Sequence, residues 1–147
     1  MFKAIVLGAD HRGYNLKEQI KEYLLKQKKY SVLDIGAFSL DSVDYPNIAK
    51  ELANKIKEDE EICGITICGS GIGISIALNK ASKNIRAALI YNKGTAKTSR
   101  EHNNANVISL GADYINIETA IEWIEIFLNQ KFEGGRHQKR IDIMKSW

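Results

Sequence analysis

At 147 residues, with 44% hydrophobic and 27% charged side chains, the chain has the size and composition of one globular domain spanning residues 1–147 with a full core. A net charge of +3 and a pI near 8.8 are mild, the lysines are scattered over helical stretches without an aromatic platform, no apolar run reaches the length of a membrane span, and the first residues lack a signal-peptide pattern. Nucleic-acid and membrane partners are therefore not expected, and a cytoplasmic protein is. Two cysteines do not make a disulfide framework.

Residues 2–7 read as a buried first strand, and Gly8 opens the turn Gly8-Ala9-Asp10-His11-Arg12-Gly13. The helix that follows carries Leu16, Ile20, Tyr23 and Leu24 as a core stripe, with Lys17, Glu18, Lys21 and Glu22 on a solvated face. Residues 30–35 form the second strand, closed by Gly36, and 37–44 read as loop. Tyr45 and Pro46 start a helix through Ala49, Leu52, Ala53 and Ile56, the single proline sitting in its first turn. Residues 62–68 have the length and β-branched content of a strand buried on both faces. Cys63 and Cys68 on that strand are five steps of about 3.3 Å apart, roughly 16 Å, too far to bridge.

The strand ends in Gly69-Ser70-Gly71-Ile72-Gly73, where missing Cβ atoms let backbone N–H groups approach a ligand and a helix begins. Residues 85–90 form a fourth strand, Asn92 caps a helix over 93–101, and 106–110 form a fifth strand ending at Gly111. Residues 117–128 are an apolar helix whose Trp123 and Phe127 belong to the core, and Glu133-Gly134-Gly135 separates it from a last short helix over 136–145. Strands alternating with helices at this spacing predict a three-layer α/β/α sandwich around a five-stranded parallel, Rossmann-like sheet. Ligands of such sheets sit beyond the carboxyl ends of the strands, and the first and third strands are natural neighbours, so Asp10 and His11 are expected beside Cys68 and Ser70.

Cys63, surrounded by strand, reads as a small buried hydrophobe. Cys68 faces a helix N-terminus, where amide donors and the helix dipole favour a thiolate. The G-x-G-x-G loop lacks the spacing of a dinucleotide fingerprint and has no G-K-[ST], so it predicts oxyanion binding rather than a nucleotide site. Asp10 and His11 either cap the first helix or act in the pocket. His102, near a helix C-terminus, either complements the dipole or acts chemically. If its helix starts at the pocket end of the sheet, that last turn is roughly 12 to 15 Å away, so a catalytic His102 would serve a neighbouring subunit. Only five of the 21 basic residues are arginine, and Arg12, Arg136 and Arg140 stand in polar stretches where their forks could hold an oxyanion. Arg136 and Arg140, at i and i+4 with His137 beside the first, form either a solvated basic face or a phosphate clamp. No Cys/His pair has zinc-ligand spacing.

The segments Gly8-Ala9-Asp10-His11-Arg12-Gly13-Tyr14, Val43-Asp44-Tyr45-Pro46, Cys68-Gly69-Ser70-Gly71-Ile72-Gly73-Ile74-Ser75, Ser99-Arg100-Glu101-His102-Asn103 and Glu133-Gly134-Gly135-Arg136-His137 resemble the type B ribose-5-phosphate isomerases, a family that extends to galactose- and allose-6-phosphate isomerases. The resemblance runs nearly end to end. It implies a metal-free and cofactor-free aldose-ketose isomerase that interconverts ribose 5-phosphate and ribulose 5-phosphate through a cis-enediolate, in the non-oxidative pentose phosphate pathway. It implies Cys68 as the base moving the proton between C2 and C1, amides of residues 69–74, Gly69, Gly71 and Gly73 among them, on the enediolate oxygen, and His102, Asp10 and Ser70 for ring opening. Tyr45 would pack on the sugar, His11, Arg136 and Arg140 would hold the phosphate, and Asn103 an oxyanion or hydroxyl. It also implies a homodimer or homotetramer with shared active sites, His102 and the C-terminal arginine helix reaching a partner subunit.

Ile74 stands where members lacking the cysteine carry a glutamate, so the chain looks like the cysteine type, and Ser70 replaces a common threonine while keeping the hydroxyl. Asp113 stands where many relatives have arginine, which leaves pentose versus hexose phosphate open, since an acid there would repel a phosphate unless the loop turns away. A non-catalytic phosphosugar sensor is the rival of another class. A thiol hydrolase using Cys68 and His102 is a third, disfavoured because no Asp or Asn partner for the histidine is apparent.

Overall fold

The computed structural model describes residues 1–147. Five strands, β1 (Ala4–Ala9), β2 (Ser31–Asp34), β3 (Ile62–Cys68), β4 (Ala87–Leu89) and β5 (Val107–Gly111), alternate with α1 (Tyr14–Gln27), α2 (Tyr45–Ile56), α3 (Ile72–Ala81), α4 (Lys93–Glu101), α5 (Ile117–Asn129) and α6 (Arg136–Lys145). The sheet is parallel throughout in the order β2-β1-β3-β5-β4, so β1 and β3 are neighbours and the order reverses between them and the second half of the chain. No helix is long and apolar enough to cross a membrane.

The apolar run of β3 is long because both of its faces are covered. Cys63, Ile65 and Ile67 point into a core with Leu16, Ile20 and Leu24 of α1 and Trp123 and Phe127 of α5. Cys68 points the other way, to Ile48 and Leu52 of α2 and Ile74 and Leu78 of α3. An odd spacing thus puts the two cysteines on opposite faces, and both are free. Gly64 has no side chain because a Cβ there would lie 2.8 Å from Leu52 Cδ2 and 3.0 Å from Val107 Cγ1.

Most element ends agree with the sequence reading to within two residues, and the shifts have local causes. β1 runs to Ala9 because Gly8 and Ala9 remain paired with Thr66 and Ile67. β4 is only three residues long because side chains replace strand partners at this edge: Asn79 donates to Ala87 O and accepts from Ala87 N, both at 2.9 Å, and Asn106 Oδ1 accepts from Arg86 N at 2.8 Å. Asn92 does cap α4, in a reciprocal pair with Thr95. α6 lies beside the amino-terminal approaches to β4 and β5, across a groove of about 640 Å³ lined by Ile85, Arg86, Asn103, Ala105, Ile141 and Met144.

Candidate active site

The carboxyl ends of β1, β3 and β5 meet at one corner. Ala112 N donates to Cys68 O at 2.9 Å and Asp113 N to Gly69 O at 3.0 Å, so the loop after β5 is fastened to the turn after β3. Cys68 is 5% exposed, and its Sγ accepts the Gly71 N–H at 3.1 Å, aligning the sulfur with the start of α3. Ser70 Oγ accepts from Ile72 N at 3.2 Å. The amides of Gly69, Ser70, Gly73 and Ile74 donate to no protein group, which leaves a fan of N–H donors at the beginning of the helix.

The three glycines differ from the expectation of simple ligand access. Gly71 has φ +77°, and a Cβ would lie 2.7 Å from Leu89 Cδ1 and 2.9 Å from the Leu110 carbonyl carbon, so it is required by backbone and packing. At Gly69 the missing Cβ leaves room for the Arg12 guanidinium, whose Cζ would be 2.7 Å from it, and at Gly73 for the Tyr45 ring, 2.7 Å from it at Cζ. The corner is therefore roofed by an arginine and a tyrosine.

Asp10 does not cap α1, whose N-cap is Gly13 and has no side-chain hydrogen bond. Instead its Oδ1 accepts from Arg12 N at 3.0 Å and Gly13 N at 3.1 Å, closing an Asx-turn just upstream, while Oδ2 has no protein donor. His11 does not cap α1 either. Its Nδ1 accepts from Val43 N at 3.2 Å, so the neutral ring carries its proton on Nε2. Asp10, His11, Tyr45, Cys68, Ser70, Gly69, Gly71 and Gly73 thus gather at one end of the sheet.

The remaining residues singled out in the sequence do not join them. His102 is the C-cap of α4, and Asn103 follows it on the way to the amino end of β5. Arg136 and Arg140 are exposed on α6, and His137, between them in sequence, is buried. His102 and His137 stack with ring centroids 4.4 Å apart, and Glu133 Oε2 lies 3.9 Å from His102 Nε2 and 3.5 Å from His137 Nε2. Glu133 N donates to Glu101 O at 3.0 Å, docking this segment on the end of α4. The sequence reading found no Asp or Asn partner for His102; the structure brings a glutamate, Glu133, near it. Spacing could not reveal it, because the imidazole ends α4 while the carboxylate comes from the segment between α5 and α6, about thirty residues further on. These three side chains also bring donor atoms within 4.8 Å of one another, the one grouping that could share a cation. Burial, with His102 and Arg136 alongside, holds His137 below the usual imidazole range.

Arg86 and Arg100, by contrast, are structural. Arg100 NH1 donates to Ala105 O at 2.6 Å beneath the Phe2 and Phe127 rings, and Arg86 Nε to Asn104 O at 2.9 Å. Asp113 forms an ion pair with Arg12 across the corner.

An open parallel sheet with a strand-end thiol, a glycine turn and free helix-start amides defines an anion-handling α/β protein of the kind that works on small metabolites. The Ribose/Galactose Isomerase family profile matches residues 5–144, and the chain belongs to that family. It is 39% identical over 142 residues to the ribose-5-phosphate isomerase B of Escherichia coli K12, covering 97% of this chain and 94% of that one. Its fold is similar to solved structures of ribose-5-phosphate isomerase B from Clostridium thermocellum, at TM-score 0.92 and 42% identity over 97% of this chain and 95% of that one. It is also similar to that from Mycoplasma genitalium with bound ribulose-5-phosphate, at TM-score 0.91 and 39% identity over 99% and 96%.

Proposed function

We propose that this chain is a cytoplasmic aldose-ketose isomerase that interconverts ribose 5-phosphate and ribulose 5-phosphate. The observation that carries the reading is the Cys68 sulfur at the tip of β3, on the Gly71 N–H at 3.1 Å and beside four amides without protein acceptors. Cys68 as a thiolate takes the proton from C2 and returns it to C1, and the amides hold the enediolate oxygen where charge develops. Asp10, through its unengaged Oδ2, and Ser70 serve ring opening with His102, and the Tyr45 ring covers the sugar. The Mycoplasma genitalium relative, with ribulose-5-phosphate bound, supports the substrate class.

The active unit is a homodimer, or a homotetramer built as a dimer of dimers, in which α6 packs on the partner subunit. His102, Asn103, Arg136 and Arg140 lie at the opposite end of the protomer from Cys68, so one chain carries two half-sites. Ile72 and Ile76, one turn apart on α3, are 52% and 55% exposed beside the Cys68 turn, an apolar face suited to a second copy. In such a pair His11, Arg136 and Arg140 would hold the phosphate and Asn103 a hydroxyl.

Incubation of ribose 5-phosphate with the protein in deuterated water tests the reading. It predicts ketose formation with label at the transferred carbon, a large loss of rate in Cys68→Ala, and slower turnover of allose 6-phosphate. Absence of ketose from the wild type at any enzyme concentration contradicts it, and then a ligand-induced thermal shift without exchange would identify a sensor.

A further inference from the structure

Arg12 is the one Lys or Arg in the turns after β1, β3 and β5, and nothing in the isomerase scheme uses it. Its position is defined from three sides. Its backbone N–H is held by Asp10 Oδ1 at 3.0 Å, its NH2 group pairs with Asp113, and Asp113 is itself tied through its own N–H to Gly69 O at 3.0 Å. The guanidinium lies over Gly69, where the absent Cβ would be 2.9 Å from both Nε and NH1. Those two groups have no protein acceptor, so the fork keeps free donors facing the turn that carries the unpaired amides.

A guanidinium with one nitrogen engaged by a carboxylate and others free is prepared for a second oxyanion, which a lysine's single point charge would not be. We infer that Arg12 is a substrate-binding residue that contacts the anionic end of the sugar phosphate from the same protomer as Cys68, and that Asp113 is the positioning residue that keeps it over Gly69. The acid at position 113 then orients the pocket's own cation instead of opposing the ligand. This inference rests on the phosphosugar reading above and adds its specificity determinant.

Two readouts test it. In steady-state kinetics with ribose 5-phosphate, Arg12→Ala raises KM about tenfold or more, and more than it lowers kcat, as loss of a charge-assisted contact predicts. Arg12→Lys recovers only part of the loss, and Asp113→Asn raises KM by a smaller factor that disappears in the Arg12→Ala background. Independently of turnover, inorganic phosphate and ribose 5-phosphate raise the Tm of the wild type, and this rise shrinks in Arg12→Ala. An unchanged KM in Arg12→Ala with an undiminished thermal shift overturns the inference while leaving the isomerase reading intact. A wild type without turnover, but with an Arg12-dependent thermal shift, supports the anion contact and removes the isomerase reading.

Discussion

Cys63 and Cys68 occupy one strand and opposite faces of it. Cys63 is fully enclosed between β3 and the α1/α5 layer, and burial pushes its thiol up to about 12. Cys68 ends the strand at the glycine turn with its sulfur on the Gly71 N–H. Iodoacetamide is therefore expected to label Cys68 and spare Cys63 in the native protein, and ribose 5-phosphate is expected to slow that labelling; peptide mass mapping checks both. In the same account Cys68→Ala lowers kcat by about 10² to 10⁴, the range for a positioned proton-transfer group, with little change in KM. The different surroundings of these two residues were legible in the sequence, since one is flanked by strand and the other by glycines. The Asp10 turn was not, because an aspartate a few residues before a helix can cap it or close an Asx-turn, and the choice depends on which N–H groups the turn presents.

At the level of elements, strand pattern and helix periodicity located all eleven elements, and the glycine-rich corner was placed correctly beside the β1 turn. Contacts between elements distant in the chain were invisible. Lys17, assigned by periodicity to a solvated face, is 0% exposed: its amine reaches Asp34 at 2.6 Å and Glu18 at 2.8 Å between the Tyr14 and Phe38 rings. Burial pushes the Asp34 carboxyl up, hydrogen bonds from Lys17 and Lys21 outweigh it, and the carboxyl lies below its usual range. Lys17→Met leaves Asp34 with Lys21 and the Gly36 N–H and is expected to cost about 1.5 to 3 kcal/mol in denaturant unfolding, as for a lost hydrogen bond between charged groups.

The α6 segment hides a second such contact. His137 is buried against His102 with Glu133, Arg136 and Arg140 around it, and the fold favours its neutral form. A depressed imidazole pKa means that the unfolded chain binds the proton first as pH falls. Its contribution to stability is complete above the ordinary value near 6.5 and is lost as pH drops below it. His137→Asn is expected to flatten the decline in urea midpoint between about pH 6.5 and pH 5; an equally steep decline would show that other groups cause it.

On the scale of the whole molecule, the fold sends the residues that resemble one family's site to the two ends of a single protomer. Helix α4 separates them: it starts after β4 at the carboxyl end of the sheet and delivers His102 to the other end. The length of that helix was readable in the sequence, and so was the separation it puts between Cys68 and His102. The apolar face of α3 was not, since the exposure of Ile72 and Ile76 depends on what the neighbouring elements cover. Complementation between two disabled chains tests the shared site most directly. Cys68→Ala and His102→Ala variants, each nearly inactive alone, are unfolded together in equal amounts and refolded. Random pairing in a two-fold dimer rebuilds one intact site in each mixed dimer, so about a quarter of the wild-type activity should return. A mixture that forms mixed dimers but stays as inactive as its parents would contradict a site built from two copies of the chain.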